Sequence, residues 1–333
     1  MSITEINTII RRLQNELVFA QPFIDFIGEQ VLLTCYILER TKTQNLLPAN
    51  LWQTFRSSLI KNIRERLQAI ATLYPPPPDI HCHHINAYGV PADWISAPDV
   101  DSSRIILYLH GGAYVSGSPS THKTLCYFLS QATNSRILLI EYRLAPEYPF
   151  PAAVDDGLTA YNWLINEVKA NPAKIAIAGE SAGASLTMVT LAALKEAKVP
   201  LPGAAVCLSP WVDLECLGSS METKAAVDPI LKPWMLDLFA QMYLNHTNPR
   251  HPLASPLYAD LSGLPPLLIQ VGSSEILLDD ARSLAKRAKE EDIEVELQIW
   301  DNMIHMWHFF ATDLSEAREA IARIGKFIAT NCP

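Results

Sequence analysis

The sequence predicts an α/β domain: a mostly parallel central sheet flanked by helices, with a helical cap. Three observations carry that prediction. Short apolar runs at 105–109, 137–140, 175–178, 204–208, 267–271 and 295–300 contain many β-branched residues and are bounded by Gly, Pro, Asn or Asp. Strands buried on both faces of a parallel sheet have this texture. Helical patterns at 155–169, 182–197 and 278–290 separate several of them, and a last one fits 314–330. Such alternation builds a three-layer domain. Residues 1–50 and about 212–250 stand outside the alternation and read as the cap.

Taken in order, residues 4–70 read mainly as helix. Ile9, Leu13 and Leu17, then Leu59, Ile63 and Leu67, recur at helical spacing. Pro75 to Pro78 end any helix, because proline lacks an N–H and fixes φ. The predicted division is an N-terminal cap segment, 1–50, and a catalytic domain, 51–333, with a cap insertion at about 212–250. His81-Cys82-His83-His84 reads as an early strand of mixed faces. Adjacent ligands on a strand point to opposite sides and no partner cluster is near in sequence, so no metal site is expected. Met221, Trp234, Met235, Phe239 and Met242 are candidates for cap core or an acyl pocket, and Phe23, Phe26 and Ile27 for a pocket wall.

The chain has 333 residues, 49% apolar and 18% charged, enough apolar material for a sizeable core. Its formal net charge is −9 without a block of Lys and Arg, which argues against nucleic acid as the main partner. Residues 1–20 mix Glu5, Arg11, Arg12 and Glu16 among apolar residues, so no secretory leader is expected. No run of about 18 uncharged apolar residues suggests a membrane span. The six cysteines lack CxxC pairs, and a cytoplasmic location with reduced thiols is the expectation.

The chemistry centres on Gly179-Glu180-Ser181-Ala182-Gly183, which follows a strand run and opens a helical pattern. Gly-x-Ser-x-Gly in a strand–turn–helix context is the nucleophile elbow of α/β-hydrolases. The serine sits on a sharp turn, so positions two before and two after must lack bulk. Upstream, another buried run ends in His110-Gly111-Gly112. Attack on an ester carbonyl places negative charge on its oxygen, which preorganised N–H groups stabilise. Gly111, Gly112 and Ala182 are the expected donors. His110 reads as a brace for this loop.

A serine hydroxyl needs a base, and the base needs a carboxylate to hold its tautomer. The expected chain order is Ser, then Asp or Glu, then His. His305 follows the run 295–300 and a short loop, the position of the base; His308 is the alternative, and His246 and His251 precede the run 267–271. Glu275 lies on the loop after 267–271, the position of the acid, with Asp279 the alternative.

These motifs resemble the hormone-sensitive-lipase-like esterases, the bacterial HGGG-type group of α/β-hydrolases. The matching segments are His110-Gly-Gly-Ala-Tyr114, Tyr142-Arg-Leu-Ala-Pro-Glu147, Phe150-Pro-Ala-Ala153, the elbow, Ser209-Pro-Trp-Val-Asp213, Ser255-Pro-Leu257 and Gly272-Ser-Ser-Glu275. Glu at the acid position and Met303-Ile304-His305 look especially like the monoterpene ε-lactone hydrolase branch. Ala113 departs from the third Gly of that signature, and Glu180 and Ala184 from the usual Asp and Gly. The resemblance implies the α/β-hydrolase fold, a helical cap, homodimers in some members, a small-molecule ester substrate and no cofactor. The expectation is a serine carboxylic-ester hydrolase acting on short-acyl esters through an acyl-enzyme. Lactone, carbamate or amide hydrolysis on the same triad is the alternative, and a non-catalytic small-molecule receptor is the alternative of another class.

Overall fold

The apolar runs pair into one eight-stranded sheet. A computed structural model describes residues 49–333. The readings of Ile9, Leu13 and Leu17, of Phe23, Phe26 and Ile27, and of nearly all the cap segment 1–50 lie outside the described residues. The chain divides into two compact units after Leu73. In the first, helix α1 (Ala49–Leu73) ends just ahead of the four prolines.

The second unit, Tyr74–Pro333, holds the sheet. Its strands are β1 (His81–Ala87), β2 (Val90–Ser96), β3 (Ile105–Leu109), β4 (Arg136–Ile140), β5 (Ile175–Glu180), β6 (Ala204–Leu208), β7 (Leu267–Gly272) and β8 (Val295–Trp300). They lie in the order β1-β2-β4-β3-β5-β6-β7-β8. From β4 to β8 every pairing is parallel; β1 and β2 add an antiparallel edge. Every residue of β3, β5, β6 and β7 is buried, as the unbroken apolar runs require. Strand β8, at the far edge, is only partly covered.

The helices are α2 (Pro119–Thr133), α3 (Ala152–Asn166), α4 (Ala182–Glu196), α5 (Ser220–Thr223), α6 (Pro233–Leu244), α7 (Leu278–Glu290) and α8 (Ser315–Asn331). Helix α2 begins with Pro119 at its first turn and closes at Asn134, whose left-handed backbone returns its N–H to Ser130 O. Helix α2 packs on α8, and α3 on α4. Helix α4 is buried on nearly all sides, hence its lack of a polar face.

The structure differs from the sequence reading in two local ways. The helix expected at 155–169 runs Ala152–Asn166; Lys169 has φ +58°, which a helix cannot hold. Strand β2 was not expected. Tyr88 and Gly89, at φ +54° and +101°, form the two-residue turn that folds β2 back on β1. The segment 212–250 contains α5 and α6; Met221, Phe239 and Met242 are buried in it, whereas Trp234 and Met235 are half-buried. Among the described residues, no helix is long and apolar enough to cross a membrane.

Candidate active site

Ser181 sits between β5 and α4 at φ +55°, ψ −121°, a conformation costly for a residue with a Cβ. Its neighbours hold it there. Its N–H donates to Leu208 O at 2.8 Å, and Trp211 N–H donates to its carbonyl at 3.1 Å. A Cβ on Gly179 would overlap Gly183 O, and one on Gly183 would overlap Leu109 O. The two flanking glycines are therefore what lets the turn close under β3.

Three strand ends converge on this serine. His305 Nε2 lies 3.1 Å from Ser181 Oγ, and its Nδ1 lies 2.8 Å from Glu275 Oε2. Glu275 Oε1 accepts from Gly272 N–H at 2.6 Å and from Ser209 Oγ at 2.9 Å. Ser181, Glu275 and His305 are all buried. An ionised carboxylate only accepts, so Nδ1 carries the imidazole proton and Nε2 presents its lone pair to the serine hydroxyl. That arrangement can deprotonate Oγ and return the proton to a leaving group.

The alternative residues are engaged elsewhere. Asp279 Oδ2 accepts from Ser219 Oγ and Ser220 N–H, and Oδ1 pairs with Arg282. Asp280 accepts from the N–H groups of Val212 and Asp213. His308 Nε2 contacts Gln270 Oε1 at 2.8 Å, and burial pushes the His308 imidazole down to about 3. His251 Nδ1 accepts Leu253 N–H at 3.2 Å, and His246 follows α6. Among the described residues, no group of three or more His, Cys, Asp or Glu is placed to hold a metal ion. His84, on β1, pairs with Asp93 on β2 at 3.0 Å.

The loop after β3 requires a correction. Gly111 was expected to donate to the oxyanion, but its N–H is taken by Glu180 Oε1. A committed amide cannot also meet a substrate oxygen. One residue on, Gly112 has φ +110°, Ala113 +56° and Tyr114 +64°. No acceptor among the described residues meets the N–H of Gly112, Ala113 or Ala182. Ala113, which the sequence reading noted only as a departure, thus replaces Gly111 as a candidate donor. His110 braces the loop: its Nδ1 donates to Gly111 O at 2.8 Å, its ring stacks on Tyr142 at 4.2 Å, and Tyr142 OH donates to His110 O at 2.6 Å.

With this geometry in view, comparison with known proteins is direct. Residues 106–309 match the family model described as the alpha/beta hydrolase fold. The chain belongs to the α/β-hydrolase family. An acetyl-hydrolase of Streptomyces hygroscopicus is 45% identical to this hydrolase over 267 residues, covering 79% of this chain and 86% of that one. An esterase of Acinetobacter venetianus is 33% identical over 288 residues, covering 86% and 94%. A crystal structure of an esterase from the bacterial hormone-sensitive lipase family superposes on this hydrolase with a TM-score of 0.81. The two are 45% identical, and the match covers 82% of this chain and 92% of that one. This hydrolase is a serine ester hydrolase of the hormone-sensitive-lipase-like group.

Proposed function

We propose that the enzyme hydrolyses small, short-acyl carboxylic esters through an acyl-enzyme on Ser181. The observation that carries this reading is the buried line Ser181 Oγ–His305 Nε2, His305 Nδ1–Glu275 Oε2, at 3.1 and 2.8 Å. His305 takes the hydroxyl proton as Oγ attacks the carbonyl carbon. Glu275 steadies the imidazolium that forms. The N–H groups of Gly112, Ala113 and Ala182 receive the developing oxyanion. Collapse expels the alcohol with the proton from His305, and water repeats the sequence on the acyl-enzyme. The name of the Streptomyces relative, an acetyl-hydrolase, supports a short acyl group.

A second reading, hydrolysis of lactones by the same steps, is favoured by Glu275 and the Met303-Ile304-His305 segment, which resemble the ε-lactone hydrolase branch. The division into a cap segment 1–50 and a catalytic domain 51–333, a cytoplasmic location and a homodimer also belong to the proposal. They rest on the sequence and on the resemblance, and analytical ultracentrifugation tests the dimer.

The deciding experiment is turnover of p-nitrophenyl esters from acetate to palmitate by wild type and Ser181→Ala. Turnover best on short acyl chains and abolished in Ser181→Ala is expected. Undiminished turnover in that variant overturns the assignment, and a preference for palmitate overturns the short-acyl reading.

A further inference from the structure

The segment between β6 and β7 inverts the usual rule of burial. Of the described residues between Met221 and Leu236, Asp228 alone is buried, at 1% exposure. Its apolar neighbours Val227 and Ile230 are 55% and 39% exposed. Burying a carboxylate is costly unless donors meet its oxygens. The cause of the inversion is therefore to be found in what Asp228 holds.

Both of its oxygens are met by backbone N–H groups. Oδ1 accepts from Ile230 at 2.8 Å and from Leu231 at 2.9 Å, a local turn that Asp side chains favour. Oδ2 accepts the N–H of Ile276 at 2.9 Å, 48 positions along the chain. That N–H belongs to the peptide leaving Glu275, and the carbonyl of the same peptide accepts Leu278 N–H at 3.3 Å. Ser220, the first residue of α5 and also 1% exposed, takes the next peptide. Its Oγ donates to Ile276 O at 2.5 Å and accepts Asp279 N–H at 3.0 Å. Two side chains outside the triad thus hold the peptides on either side of Ile276.

Glu275 lies between two sets of anchors. Ahead of it, the N–H groups of Ser273 and Ser274 donate to Trp300 O at 2.9 Å and Met303 O at 3.0 Å, on β8 and the loop that carries His305. After it come Asp228 and Ser220. Gly272 N–H and Ser209 Oγ fix one carboxylate oxygen, but the carboxylate can stay 2.8 Å from His305 Nδ1 only if the backbone beneath it is fixed as well. We infer that Asp228 and Ser220 are positioning residues for ester hydrolysis: they lock the backbone after Glu275 and so keep its carboxylate on His305. The inference rests on the triad reading proposed above.

Asp228→Asn tests it at constant size. The amide accepts at one oxygen only. Its NH2 must therefore face either the Ile276 N–H or the N–H groups of Ile230 and Leu231, donor against donor. A displacement of about 1 Å at a catalytic group can cost on the order of 100-fold in rate. The expected result is a fall of about 10- to 100-fold in kcat on p-nitrophenyl acetate, with KM within about threefold of wild type. Ser220→Ala keeps the backbone N–H that meets Asp279 and should lose about 5- to 20-fold in kcat, again with little change in KM. A kcat loss of less than about threefold in either folded variant, or a loss confined to KM, overturns the inference.

Double variants separate positioning from general loosening. In a Glu275→Ala background there is no carboxylate left to place. Adding Asp228→Asn or Ser220→Ala should then lower kcat by less than about threefold. A larger further loss overturns the inference, because the two residues would be acting on something other than Glu275. If Asp228→Asn does not accumulate as folded protein, Ser220→Ala and its double variant decide by the same limits. Glu275→Ala alone reports on the underlying reading: retained turnover there overturns the triad assignment instead.

Discussion

Ser209 Oγ donates to Glu275 Oε1 at 2.9 Å while accepting the Met306 N–H at 3.3 Å. A single hydroxyl thus joins the loop that carries the acid to the residue beside His305. With Gly272 N–H on the same oxygen, it leaves Oε2 as the face of Glu275 that meets the imidazole.

Ser209→Ala removes this hydroxyl from beside a carboxylate, an interaction worth about 1.5–3 kcal/mol. The expected outcome is a drop of roughly tenfold in kcat/KM with a cooperative melt. Steady-state kinetics on p-nitrophenyl acetate check it; an unchanged kcat/KM counts against the bridge.

The two carboxylates that follow β7, Glu275 on the loop and Asp279 in the first turn of α7, should separate cleanly. Glu275→Ala removes the group that holds His305 in its tautomer, and kcat should fall by about 10³- to 10⁴-fold. Asp279 is bound to Ser219, Ser220 and Arg282 rather than to His305. Asp279→Ala should keep kcat within a few-fold of wild type, at the expense of some stability. The reverse pattern would return the acid role to Asp279.

Gly183→Ala drives a methyl group into Leu109 O at the crossing of α4 and β3. Neither side can yield without moving the elbow or the central strand. The variant should lose about 3–5 kcal/mol of stability, or fail to accumulate as soluble protein, since overpacking against backbone is among the costliest single changes. Thermal denaturation of the purified variant is the check.

Stability should fall on the acid side partly through His308. Its imidazole is fully buried and titrates at about 3 instead of its ordinary value of 6.5. Between these values the unfolded chain binds a proton that the folded chain does not. Stability from this site is therefore complete above about pH 6.5 and is lost as pH falls toward 3. The contribution is on the order of a few kcal/mol. His308→Gln can still donate to Gln270, and its melting temperature should decline less steeply than wild type from pH 7 to pH 4.

The parallel sheet and the elbow were legible because each follows from local rules. Unbroken apolar runs such as 105–109 and 175–178 require cover on both faces, and Gly179 and Gly183 flank a serine where only small residues fit. Strand β2 was hidden because Val90–Ser96 includes Pro91 and Asp93, and its turn signal is a lone glycine after Tyr88. The oxyanion loop was misread by one residue. The motif marks where the loop is, but which amide is free depends on Glu180, 69 positions away in the chain. The Ser209 bridge was equally out of reach, because its partner lies 66 positions away.

That reach across the chain also bears on how the protein acquires its activity. Ser181 and His305 stand 124 residues apart, and strands β5, β6, β7 and β8 must come into register before they meet. Parallel pairing across long loops is slow to form, since loop closure precedes the contacts that reward it. During refolding from denaturant, ester turnover should therefore return after far-ultraviolet dichroism has recovered. Catalysis becomes a clock for the closing of the sheet, readable with a chromogenic ester and a stopwatch.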